Sequence, residues 1–264
     1  MKIGLRYIII KSKSLPARMI FKTVRGLVRL FYGKTEIVGL NNLLDKNTVY
    51  VSNHAQINGP IVSELFMPDN CYIWCAGEMM HLKEVPEYAF NDFWSEKSKY
   101  YKPFYKLLSY IIAPLSCCIF NNARTVAVYH DGRILGTFRE TVTMLKNNRN
   151  IIIFPEKKET NNNIVNKFQE NFVDIARLYY KRTGIELNFV PMYVAPDLKK
   201  MYIGKVTKYN ADNTPESERI RITNYISDEI TRIARSLPRH TVVPYCNISN
   251  KRYLSNTDVT KVPR

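Results

Sequence analysis

Apolar positions along the chain switch between a helical and a strand period, and the switches lay out its elements. From Pro16 to Phe31 the spacing is helical. Ile20, Val24, Leu27 and Phe31 fall on one face with Phe21 and Val28 beside them, and Arg18, Lys22, Arg25 and Arg29 fall on another. Glu36 to Asn41 reads as a short strand and turn. Thr48 to Val51 is β-prone and runs into a polar elbow, Ser52-Asn53-His54; after Pro60 an apolar helix follows, Ile61 to Met67, ended by Pro68. That order predicts a buried strand, a tight loop and a helix, with His54 at the carboxyl end of the strand. Cys71 to Ala76 is a second buried strand.

Helical spacing is expected over Glu78–Trp94, broken near Pro86, and over Pro103–Ile112. There Phe104, Leu107, Leu108 and Ile111 share a stripe that suits either a core or the wall of an apolar cleft. Cys118-Ile119-Phe120 reads as a strand ending in the polar residues Asn121 to Arg124. A helix after Asp131 runs to Lys146. Asn150 to Ile153 is a buried strand that Pro155 ends by removing a ladder donor. Phe168, Phe172, Ile175 and Tyr179 form a helical stripe. Strands follow at Leu187–Val194 and Met201–Val206, then a last helix over about Pro215 to Leu237 carrying Ile222, Ile226, Ile230 and Ile233. Residues 238–264 lack periodicity and are expected to wrap the surface. Strands alternating with helices predict an α/β fold over 1–264 as a single domain: a mixed, mostly parallel sheet flanked by helices, with an N-terminal basic amphipathic helix at 16–31.

Composition narrows the partners. The chain has 264 residues, 45% of them hydrophobic, which suffices for a full core, and a formal net charge of +16 calls for an anionic partner. The 18 tyrosines are scattered through apolar segments rather than interleaved with a basic patch, which argues against nucleic acid. The 16–31 helix suits an anionic membrane surface, with its cations near headgroups; the other reading is a helix packed on the core with a solvated basic face. Five cysteines without a paired spacing and four dispersed histidines predict no metal site. Such thiols suit a reducing cytosol, which would make the Asn247-Ile248-Ser249 sequon accidental. No uninterrupted run of about 18 apolar residues predicts a spanning helix, and Ile8-Ile9-Ile10 is too short for the core of a secretory signal. The expected place is the cytoplasmic face of a membrane, held peripherally.

Three sites carry candidate chemistry. His54 sits where open α/β sheets bind ligands. It is either a general base or a hydrogen-bonded structural histidine. His130-Asp131 looks like a pair, but adjacent side chains rarely meet, and Asp131 stands where a helix cap would fall. Glu156 reaches the same sheet edge as His54.

Taken in order, Asn53-His54 after a strand, the polar turn after Phe120, Phe154-Pro155-Glu156 after a strand, and Val190-Pro191-Met192 within one resemble the glycerolipid (lysophospholipid) acyltransferase family. That family includes bacterial 1-acylglycerol-3-phosphate acyltransferase, and the resemblance covers roughly Pro16 to Leu237. It implies O-acyl transfer from an acyl thioester, carried by acyl carrier protein or coenzyme A, to a hydroxyl of a lysophospholipid-like acceptor. No metal and no bound cofactor are implied. His54 matches the family's base. The family's orienting aspartate falls at Gly59, leaving Asn58 as the expected orienter, able to accept a hydrogen bond but not to supply charge. In a Ser-His-Asp triad the equivalent carboxylate-to-amide change lowers turnover by about four orders of magnitude. Glu64 is a second candidate, or a solvated helix residue. Phe154, Pro155 and Glu156 match the later motif, whereas Lys157, Lys158 and Glu159 replace its glycine, small residue and arginine. Lysines offer point charges rather than a bidentate fork. Glu156, Lys157 and Lys158, with Arg124 for the phosphate-binding arginine, form the expected acceptor side. The alternative is a non-catalytic descendant that binds lipid or a partner.

Overall fold

The computed structural model describes residues 14–94, 98–158, 163–246, 248 and 250–259. The Ile8-Ile9-Ile10 run, Asn247 and Ser249 of the sequon, and Glu159 lie outside the described residues. In chain order the elements begin with α1 (Leu15–Tyr32), β1 (Glu36–Val38), β2 (Thr48–Ser52), α2 (Asn58–Phe66), β3 (Cys71–Ala76) and α3 (Val85–Ala89). They continue with α4 (Lys102–Asn122), β4 (Thr125–Val128), α5 (Ile134–Lys146), β5 (Asn150–Ile153) and α6 (Asp174–Thr183). β6 (Asn188–Ala195), β7 (Lys200–Ile203), β8 (Thr207–Lys208) and α7 (Pro215–Ser236) complete the order. Two compact units result, one from Met1–Gly33 with Cys75–Ala127, the other from Lys34–Trp74 with Val128–Arg264.

In the second unit the strands lie in the order β1-β7-β6-β2-β5-β3, with β8 also on β6. β2 runs parallel to β5 and to β6, β5 parallel to β3, and β1 parallel to β7; the β6–β7 and β6–β8 pairs are antiparallel. A parallel strand is covered on both faces, so it loses the polar alternation of a half-exposed strand. β2 (TVYVS) and β5 (NIII) are accordingly buried at every residue. α7 packs on β6, α5 on β5, and α6 on both of those helices. The buried stripe Ile222, Ile226, Ile230 and Ile233 drives the α7 contact, each side chain contributing about 1.5–3 kcal/mol.

Proline inside β6 has a local explanation. The Pro191 carbonyl accepts from Gly204 N (2.8 Å), so the ring's missing donor faces the place where β7 has just ended, and the β2–β6 ladder is intact. Gly204 must be glycine, because a Cβ there would lie 2.8 Å from Pro191 Cγ.

In the first unit α1 packs on α4. A small core of Met79, Val85, Ala89 and Ala113 is extended by Tyr88 and Trp94, and Trp94 stacks on Tyr105 with ring centroids 5.5 Å apart. The helical region over Glu78–Trp94 is interrupted beside Pro86 as expected: a 3₁₀ turn at Gly77–Met80 ends, and α3 begins with Pro86 in its first turn, where its missing N–H has no role. One expectation needs correcting here. Cys118-Ile119-Phe120 is not a strand: α4 continues through Pro114 to Asn122. The Asn121 and Asn122 amides donate back to the Cys117 and Cys118 carbonyls (2.9 and 2.8 Å), securing the last turn, and the strand comes afterwards as β4. Lys99–Asn122 is also long and apolar enough to cross a membrane by length and composition, and little of it is buried.

Candidate active site

The centre of the second unit brings three sequence motifs side by side. β2 lies between β5 and β6, with Val51 opposite Ile153 and Ser52 opposite Met192. Asn53-His54 and Phe154-Pro155-Glu156 therefore leave the carboxyl edge of adjacent parallel strands, beside Val190-Pro191-Met192. Asn53 fastens the end of β2 to β6: its amide oxygen accepts from Val194 N (2.7 Å) and its Nδ2 donates to Val194 O (3.0 Å).

After His54 the chain turns back within a few residues. Ala55 (φ 45°) and Gln56 (φ 55°) both adopt left-handed backbone without being glycine. Each such residue costs on the order of 1–3 kcal/mol, and strain of this kind collects at functional sites. The turn is closed by Asn58, whose N and Nδ2 both donate to Ala55 O (3.0 and 2.9 Å), and by Gly59 N on His54 O (3.0 Å). A Cβ at Gly59 would sit 2.7 Å from Asn53 O, His54 O and Phe154 Cε1. The space beside Gly59 is thus filled by backbone and an aromatic ring.

The His54 imidazole is held from several sides. Its Nδ1 is hydrogen-bonded to the Gln56 carbonyl oxygen. A carbonyl can only accept, so Nδ1 is the donor; in the neutral ring this leaves the lone pair on Nε2, the arrangement a general base needs. Tyr245 stacks on the ring (centroids 4.4 Å, 26°), and Phe154 leans against it (5.3 Å, 56°). Gln56 Nε2 donates to the Tyr253 hydroxyl oxygen (2.6 Å) and lies 3.5 Å from Cys246 O.

Glu156 is 5% exposed, and its carboxylate ties two loops together. Oε1 accepts from His54 N (2.5 Å) and Oε2 from Asn166 N (2.9 Å). Around it Lys157 N donates to Lys167 O and Gln169 N to Pro155 O, and Glu156 bridges Phe168. The Lys157 and Lys158 side chains are exposed. Asn58, Phe154, Pro155 and Glu156 are thus gathered with His54 in one unit. Arg124 belongs to the other unit, in the bend between α4 and β4; it precedes a strand, where the sequence placed it after one. Asp131 accepts from Arg133 N (2.8 Å) and pairs with its guanidinium (2.9 Å) in a turn ahead of α5, but the expected cap is corrected: Arg133 stands at the N-cap, and no side chain caps the helix. Glu64 is half-buried on α2. Among the described residues no cluster of His, Cys, Asp and Glu could hold a metal ion.

The described residues after Pro238 form a strap. Thr241 bridges Ser255, Val242 N donates to Leu254 O (2.8 Å), and buried His240 and Asn256 exchange hydrogen bonds. His240 Nδ1 meets Pro238 O, so its Nε2 accepts from the Tyr193 hydroxyl (2.8 Å), which burial holds in its protonated form. Gln56, Tyr245 and Tyr253 were missed in the sequence. Left-handed backbone at Ala-Gln and contacts across nearly 200 residues leave no local signal.

In the first unit the four cations of α1, with Phe21 and Asn122, line an open groove of about 400 Å³. The same helix buries no residue and exposes Leu15, Met19, Leu30 and Phe31.

No protein-family model matches the chain, and no curated protein matches it. Among solved structures it is similar to the crystal structure of the 1-acyl-sn-glycerophosphate (LPA) acyltransferase PlsC from Thermotoga maritima. Identity is 13%, coverage 83% of this chain and 78% of that one, and the TM-score 0.47.

Proposed function

We propose that the protein is a membrane-associated O-acyltransferase that moves an acyl group from a thioester of acyl carrier protein or coenzyme A to a lysophospholipid-like hydroxyl. The observation that carries this reading is the His54 imidazole at the carboxyl edge of parallel strands, its Nδ1 on the Gln56 carbonyl, beside the Phe154-Pro155-Glu156 turn. With the lone pair on Nε2, His54 takes the proton of the acceptor hydroxyl as its oxygen attacks the thioester carbonyl. Collapse of the tetrahedral intermediate expels the thiolate, which regains a proton. General-base assistance of this kind is worth about 10²–10⁴ in rate. The thioester supplies the driving force, so the reaction needs no metal or bound cofactor. Glu156 holds the His54 backbone, Asn58 shapes the turn, and Phe154 and Pro155 wall the site. Lys157 and Lys158 remain the candidate contacts for an acceptor phosphate within this unit.

Membrane association is supported by the exposed apolar residues of α1, by those of α4 (Phe104, Leu107 and Ile111 among them), and by the all-positive charge of α1. Such helices lie in the interface with their apolar faces among acyl chains. The proposed place is the cytoplasmic face.

A second reading has its own support. Tyr245 covers one face of His54, and both Glu156 oxygens hold backbone N–H groups, as a lipid-binding, non-catalytic descendant would tolerate. Incubating the protein with labelled acyl-carrier-protein and coenzyme A thioesters and a panel of lysolipids in vesicles separates the two. Acylated product with one acceptor class supports transfer and names the acceptor. Vesicle binding without product from any pair supports the second reading.

A further inference from the structure

We infer that the C-terminal strap sets the protonation geometry of His54, with Tyr253 as a positioning residue that acts through Gln56. The inference rests on the reading of His54 as the base and adds what orients it. In this chain the position four residues beyond the one after His54 carries no carboxylate, because Gly59 is packed against two carbonyl oxygens and Phe154. The Nδ1 partner is instead the backbone carbonyl of Gln56, a residue in left-handed conformation that would relax if unrestrained. Beside the local bonds from Asn58 and Gly59 that close the turn, its side chain is held from about 200 residues away: Gln56 Nε2 donates to Tyr253 Oη at 2.6 Å, with Cys246 O at 3.5 Å.

The strap can bear that role because its base is anchored. Asn256 Nδ2 donates to Ala234 O at the end of α7 (2.8 Å), His240 Nε2 accepts from Tyr193 on β6, and the 241–255 bridge ties the two arms. Between the anchors, Tyr245 lies flat on the His54 ring while Tyr253 holds Gln56. Together they fix the ring's plane and the position of the carbonyl that accepts from its Nδ1–H. Tyr253→Phe removes the acceptor oxygen but keeps the ring, freeing Gln56 to turn its carbonyl away; the Nδ1–H form then loses its preference.

The test uses full-length protein labelled with ¹⁵N-histidine. Long-range ¹⁵N–¹H correlations distinguish the two neutral tautomers, and His54 is assigned by the signals lost in His54→Gln. Wild type is expected to show His54 protonated at Nδ1, with His240 the same. In Tyr253→Phe the His54 signals move toward a tautomer mixture while those of His240 stay. With an acyl thioester and acceptor, kcat of Tyr253→Phe falls roughly ten- to hundred-fold at little-changed KM, taking as a guide the loss when a partner that orients a metal-bound imidazole is removed. His54 protonated at Nε2 in wild type, or the same tautomer in wild type and Tyr253→Phe, overturns the inference. Should Tyr253→Phe fail to fold, Gln56→Ala, which keeps the carbonyl and leaves the strap untouched, must show the same His54 shift; an unchanged spectrum overturns the inference equally. The spectra need no turnover, so absence of acyl transfer from wild type contradicts the proposed reaction and leaves the tautomer comparison to decide this inference alone.

Discussion

At residue scale, Gly59 decides what the loop after β2 can be. A side chain there would begin 2.7 Å from the carbonyl oxygens of Asn53 and His54, closer than any real Cβ approach. Gly59→Asp places a carboxylate five residues after His54, yet it must push apart the turn that presents His54. The expected outcome is a loss of roughly 1–3 kcal/mol in urea denaturation, as for other insertions into packed sites, and no gain in acyl transfer; a stable variant with higher turnover would show that the turn accommodates a carboxylate. His54 and Glu156 were legible as sheet-edge residues because each follows a buried β-prone run. The Gln56 carbonyl was not, since any residue type carries one. Arg124 was misplaced for a related reason: the end of α4 is apolar and β-branched enough to mimic a strand, and only the Asn121 and Asn122 back-bonds mark it as helix.

At the scale of elements, periodicity predicted α1, β2, β5, β6 and α7 within a residue or two, since each has either a clean stripe or an all-apolar run. Element ends governed by side-chain hydrogen bonds, and the strap, lay beyond it. α1 carries the clearest prediction. Leu30 and Phe31 are 75% and 86% exposed at its end, next to a basic face. If they enter the acyl region of a bilayer, each contributes about 1.5–3 kcal/mol to binding. The double substitution Leu30→Glu/Phe31→Glu should therefore keep the thermal unfolding curve and weaken binding to anionic vesicles by at least about tenfold in a sedimentation assay. Unchanged vesicle binding would remove α1 from the membrane.

At the scale of the whole molecule, a net charge of +16 already opposes compactness, and acid adds to it. One buried carboxylate makes this measurable. Burial alone would raise Glu218, but hydrogen bonds from Arg221, Asn213 and Asn210 N outweigh it and hold its pKa below the ordinary 4.5. A depressed folded-state pKa gives stability that is present above the unfolded value and lost as pH falls through the folded one. Wild type should thus exceed Glu218→Gln by about 1–3 kcal/mol at pH 7, and the gap should narrow below about pH 4.5 in denaturant titrations; a gap independent of pH would mean that the charge contributes nothing. The central claim is that His54 takes the proton of the acceptor hydroxyl, and its most direct test compares single-turnover acyl transfer by wild type and His54→Ala on vesicles carrying the preferred lysolipid. The predicted result is a rate lower by about 10²–10⁴ in His54→Ala with vesicle binding and unfolding midpoint retained; equal rates in the two proteins would contradict it.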